Sequence, residues 1–191
     1  VRRSGSTIQV EPEVERGFGF AHAVDFNLTV PRTLDLDIEG VGLMVDIEGS
    51  EAQLEVGTVH GPIRVVGGRG NIVLESVNGE VTLQGASGNI DVTGVAGRVT
   101  LVDCSGDIFV ETVGGTIDLE GIDSSDLEAG TVGGTLRFDG LIRDGGVYTF
   151  GTHGGQIWLY LPEGINAQVE AVTLAGSLNV DYPGAPSEPT G

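Results

Sequence analysis

A glycine returns every nine residues through the middle of this chain, at Gly61, Gly70, Gly79, Gly88, Gly97, Gly106 and Gly115. Two positions after each comes Ile63, Ile72, Val81, Ile90, Val99, Ile108 and Ile117; two further on come Val65, Leu74, Leu83, Val92, Leu101, Val110 and Leu119. Mostly polar residues separate them, among them Arg64, Thr82, Asp91, Thr100 and Asp118. This is period-two alternation, the pattern of a strand buried on one face. The glycine marks the turn before each strand, where the lack of a Cβ permits positive φ or close approach of a neighbouring backbone.

A second period underlies the first. Two positions before the glycines the chain reads Val59, Gly68, Val77, Ala86, Val95, Cys104 and Val113. Valine alternates with a small residue, so the true repeat is eighteen residues, with two strands and two unlike corners. That predicts an all-β fold, a parallel β-solenoid (β-helix) with two nine-residue strand-turn units per coil and rungs about 4.8 Å apart. A free hairpin meander does not predict the alternation, and a three-faced coil gives a longer repeat. No coil stands alone, because its two or three aliphatics per strand are buried only by its neighbours. Cys104 falls at the small-residue corner and is predicted to be a buried, inert thiol.

Outside this region the pattern slips, and irregular strands are predicted at both ends. Early strands are expected around Asn27–Val30, Leu34–Ile38, Leu43–Ile47 and Ala52–Val56. In IDSSDLEAG (122–130) one extra residue puts Ser125 in the glycine place and Leu127 in the core place. Gly134 resumes with Leu136 and Phe138 inward, followed by Gly145 and Gly155. The last rung is AGSLNV, with Gly176, Leu178 and Val180. The expected organisation is an arm or capping segment over 1–24, one solenoid domain over 25–182, and a Pro/Gly-rich tail over 183–191.

Composition narrows the function. The formal net charge is −19, which disfavours nucleic acid and anionic lipid as partners. There is no lysine, so lysine chemistry is excluded. One cysteine permits no internal disulfide. No apolar run of about 20 residues exists to span a membrane as a helix. The chain begins at Val1, which suggests a trimmed or mature fragment.

The repeats VNGEVTL, ASGNIDV and CSGDIFV resemble the bacterial putative-adhesin β-strand-repeat family, a domain family of unknown function. So do the opening LTVP at 28–31 and the closing LYLPEGINAQVEAVTLAGSLNVDYP at 159–183. The resemblance spans roughly residues 25–183. It implies a β-solenoid on a cell-envelope or extracellular protein, with any membrane tether outside this sequence. It brings no catalytic residues.

Candidate sites are few. The turns SVNG, GASG, GVAG, DCSG and TVGG hold one carboxylate, Asp103, so the ligand ladder of calcium β-rolls is missing. One face carries outward Glu75, Asp91, Asp107 and Glu111 beside Asn71, Asn89, Thr93 and Phe109, with no arginine among them. That reads as a solvated face, with a cation or sugar groove as the sharper alternative. Asp123, Asp126 and Glu128 surround the irregular turn and form a further candidate cation site. His22, His60 and His153 share no ligand spacing. No catalytic residue, metal or cofactor is assigned.

The most suggestive feature is aromatic. Alternation places Tyr148 and Phe150 outward on one rung and Trp158 and Tyr160 outward on the next. These are either a binding patch or a surface covered by a terminal cap, and rungs on opposite faces would divide the four. The expectation is a non-enzymatic, adhesin-like display or binding module with an unknown protein or glycan partner. The alternatives are a self-assembling, bactofilin-like homo-oligomer and a carbohydrate-binding or carbohydrate-active β-helix.

Overall fold

The structure, a computed structural model, describes residues 2–4, 7–9, 27–162 and 165. It contains two compact units, Val1–Pro31 and Arg32–Gly191. In the first, β1 (Arg2–Ser4) and β2 (Thr7–Gln9) pair antiparallel, Arg2 opposite Gln9. Asn27–Val30, expected as a strand, has no regular structure.

The second unit is a parallel β-solenoid of about seven turns, and its described regular elements are all strands. One face stacks β3 (Leu36–Gly42), β5 (Leu54–His60), β7 (Arg69–Asn78), β9 (Ser87–Ala96) and β11 (Ser105–Thr112). It continues through the second halves of β12 (Thr116–Thr131) and β13 (Thr135–Thr152). The other face stacks β4 (Val45–Ser50), β6 (Ile63–Gly67), β8 (Val81–Gln84) and β10 (Arg98–Val102). The first halves of β12 and β13, then β14 (Gln156–Tyr160), complete it. The register is the eighteen-residue repeat itself: Ile72 lies beside Ile90, and Val81 beside Val99. The strands β3, β4 and β5 begin at Leu36, Val45 and Leu54, each slightly later than expected.

The core is two aliphatic ladders facing each other. Ile72, Leu74, Ile90, Val92 and Val110 from the first face meet Val81, Leu83, Val99, Leu101 and Ile117 from the second, all buried. Each such side chain contributes roughly 1.5–3 kcal/mol of transfer free energy, set against the entropy of ordering it. At the corners the rungs come too close for a side chain. A Cβ on Gly97 would overlap the Gly79 carbonyl oxygen, and one on Gly115 the Gly97 carbonyl oxygen. Gly97 also has φ +120°, which L side chains rarely adopt.

The two corners differ in direction. Gly68, Ala86 and Cys104 are buried in one column, and Ile122 follows them. Val59, Val77, Val95 and Val113 form a column that faces solvent, each 36–50% exposed. The expected slip after Gly115 is present but shifted by one residue. Ser124, not Ser125, pairs with Gly106, and Ser125 is the extra residue of a bulge before Asp126. Leu127 then returns to the core as expected. Gly145 is not a corner glycine: it lies in a bulge of β13 where a Cβ would meet nothing within 4 Å, while Gly155 does stack on Gly134. The segments 1–24 and 183–191 and the rung Gly176–Leu178–Val180 lie wholly or mostly outside the described residues.

Candidate functional site

The four aromatics separate. Tyr148 and Phe150 do not point outward; they occupy the core columns beside Leu127 and Ala129 and pack against the buried cluster. The even-numbered residues of β13 face inward from Leu136 and Phe138 through Ile142 to Tyr148 and Phe150, so the alternation keeps its phase across the bulge at Arg143–Gly146 and Val147 is the exposed residue instead. Phe150 lies beside the small, buried Ala129. Phe138 and Phe150 have ring centroids 5.1 Å apart, and Phe138 and Tyr148 meet edge to face at 6.3 Å. The Tyr148 hydroxyl donates to the Ser124 carbonyl and accepts from the Arg143 backbone N–H at 2.9 Å, which ties the bulge to the preceding coil.

Trp158 and Tyr160 do point outward, 49% and 55% exposed, both from β14 on the second face. Alternation along a strand sets them about 6.6 Å apart. On the rung before, Arg137 lies beside Trp158 and Asp139 beside Tyr160. Arg137 is held by Asp118 at 3.5 Å, and Asp118 also pairs with Arg98. Asp118 is 11% exposed at its side chain, so the two guanidiniums enclose it. Next to Tyr160 a groove of about 410 Å³ is lined by Gly121, Asp139, Gly140, Leu141, Leu161 and Pro162.

The first face gathers the expected acidic positions. Asn71, Asn89, Asp107 and Asp126 form one column, and Asn89 donates its side-chain amide to Asn71 at 3.0 Å. Asp91 lies between Val73 and Phe109, and its Oδ1 is buried without a hydrogen-bond partner. Glu75, Thr93 and Glu111 line the adjacent column. Arginines punctuate the second face instead: Arg64 bonds Asp46 at 2.8 Å and Glu48 at 2.9 Å, and those bonds, Glu48 foremost, raise its pKa.

The irregular turn is not a shared carboxylate cluster. Asp123 is engaged by Arg143 through two bonds of 2.6 and 2.7 Å, which hold its carboxyl below the usual aspartate range. Asp126 and Glu128 continue the outward columns of the first face. Among the described residues no three His, Cys, Asp or Glu side chains converge as metal ligands. His60 and His153 are exposed at the valine corner, and His22 lies outside the described residues. Cys104 is buried, and loss of water raises its thiol pKa.

Sequence reasoning missed the Arg143–Asp123 and Arg137–Asp118 pairs. Their separations of 20 and 19 residues are one coil plus the local slip, so the register was the signal for them. No protein-family model matches the chain, and neither does any curated protein or solved structure. The fold and its surface define the class on their own: a two-faced parallel β-solenoid.

Proposed function

We propose that this chain is a non-enzymatic β-solenoid module of a bacterial cell envelope, an adhesin-like rod that displays a binding surface. The observation that carries this is the division between inward and outward columns. Inward positions repeat aliphatic residues from rung to rung, while the outward column beside them reads Thr82, Thr100, Asp118, Arg137 and Trp158. The core thus supplies a fixed rod, and the outer surface varies independently of it. The sequence resemblance to the putative-adhesin repeats agrees with this reading.

The test is antibody labelling of the bacterium that encodes the chain. A module displayed by the envelope is labelled on intact cells or after removal of an outer layer, with the cytoplasm still closed. Labelling only after the cytoplasm is opened would contradict the proposal.

A further inference from the structure

We infer that the last described rung of the second face is a glycan-binding platform for neutral pyranosides, with Trp158 and Tyr160 as its floor. The inference rests on the reading of the chain as a binding module and names the chemistry of its ligand.

Three observations carry it. First, the two columns change character at this rung. The column leading to Trp158 holds Thr82, Thr100, Asp118 and Arg137; the column leading to Tyr160 holds Gln84, Val102, Glu120 and Asp139. None of these is aromatic, so stacking along the ladder does not require Trp158 or Tyr160. Half-exposed aromatics side by side on a flat sheet present two apolar ring faces with polar edges. The C–H face of a pyranose stacks on such a surface.

Second, hydrogen-bonding groups surround the rings. Arg137 is adjacent to Trp158 and held in place by Asp118, and Asp139 is adjacent to Tyr160. Guanidinium and carboxylate groups bind vicinal hydroxyls in two-point contacts. A shallow groove lined by Asp139, Gly140 and Leu141 opens beside Tyr160.

Third, charge selects among glycans. Here Arg98 and Arg137 pair with Asp118, while Glu120 and Asp139 lie beside each other in the neighbouring column, so the platform carries no positive excess. The chain as a whole carries −19. Uronate, sulfate and phosphate groups are therefore repelled, and neutral sugars are not.

Trp158 is the sole tryptophan, so its fluorescence reports this site alone. The experiment titrates the full chain with neutral cello-, xylo-, manno- and chito-oligosaccharides, and with oligogalacturonate as the anionic probe. A saturable change in Trp158 emission with at least one neutral oligosaccharide is expected, with none for oligogalacturonate. Tyr160→Ala, which keeps the reporter, weakens binding about tenfold, the loss expected for one aromatic contact. Thr82→Ala, several rungs away in the Trp158 column, leaves it unchanged. Melting curves of both variants match the parent and exclude unfolding as the cause. Emission unchanged across the neutral panel overturns the inference, as does binding of oligogalacturonate alone or binding insensitive to Tyr160→Ala. Any of these leaves the envelope-display result standing, because cell labelling does not depend on this platform.

Discussion

Ser124 stands on the rung position that Gly106 holds one coil earlier, and its Oγ donates to the Gly106 carbonyl at 2.6 Å. The same hydroxyl accepts the Asp126 N–H at 3.0 Å, and a bulge supplies the room that a Cβ needs. A corner without a bulge has no such room. Gly97→Ala is therefore expected to destabilise the solenoid by about 2–4 kcal/mol, since the new Cβ meets backbone and φ is positive. Gly85 also has positive φ (+67°) but nothing within 4 Å of its Cβ position, so Gly85→Ala costs only about 1 kcal/mol. Denaturant melts of the two variants check this, and equal losses would contradict close rung stacking.

Phe150 and Trp158 test the division of the aromatics. Phe150 is partly buried and packs on Phe138 at the edge of the core, so Phe150→Ala lowers stability by about 2–3 kcal/mol. Trp158 is half exposed, and Trp158→Ala changes stability by less than about 1 kcal/mol. Chemical denaturation of both distinguishes them; the reverse order would return Phe150 to the surface.

The sequence made the corner and the core legible because each rests on a local rule. Glycine marks a place with no room for Cβ, and alternation marks a strand with one buried face. Phase was legible only while the period held. Ser125 and Ser124 are the same residue type, so composition does not tell which one stacks on Gly106. At Arg143–Gly146 two adjacent glycines offered two phases, and the tertiary contact of Phe150 with Phe138 selects the one with Val147 outward. Direction at the valine corner was not legible either, since valine suits both a buried position and a stacked, half-exposed one. The Trp158–Tyr160 half of the candidate site followed from alternation within one strand, without any slip between.

Cys104 gives a pH and reactivity test. Burial disfavours its thiolate, so the folded pKa lies above the unfolded value. Its contribution to stability is complete below the usual thiol value of about 8.5 and is lost as pH rises through the folded pKa. A thiol reagent at pH 8 is expected to leave the native chain unmodified and to label it fully in denaturant. Rapid labelling of the native chain would contradict the buried corner.

The Asp123–Arg143 pair gives a test at the acid end. Its bonds lower the folded pKa of Asp123, so its contribution is present above the ordinary aspartate value of about 3.9. It is lost as pH falls through the depressed folded value. The melting temperature of the parent should exceed that of Asp123→Asn at pH 7, and the gap should close in acid. A gap that stays constant with pH would remove the ion pair from the account.

Two strands and two corners make one coil, and a distance along the rod tests this most directly. Asp37, Glu55, Val73, Asp91, Phe109, Glu128 and Thr149 form one outward column. Spin labels are placed at Asp37→Cys and Thr149→Cys in a Cys104→Ala background, where Ala86 shows that alanine suits the same column. Six rungs separate the labels, so the solenoid places their backbones about 29 Å apart by pulsed dipolar spectroscopy. If each nine-residue unit were instead a separate strand of one flat sheet, twelve strand spacings would place them about 58 Å apart, and the solenoid would be contradicted.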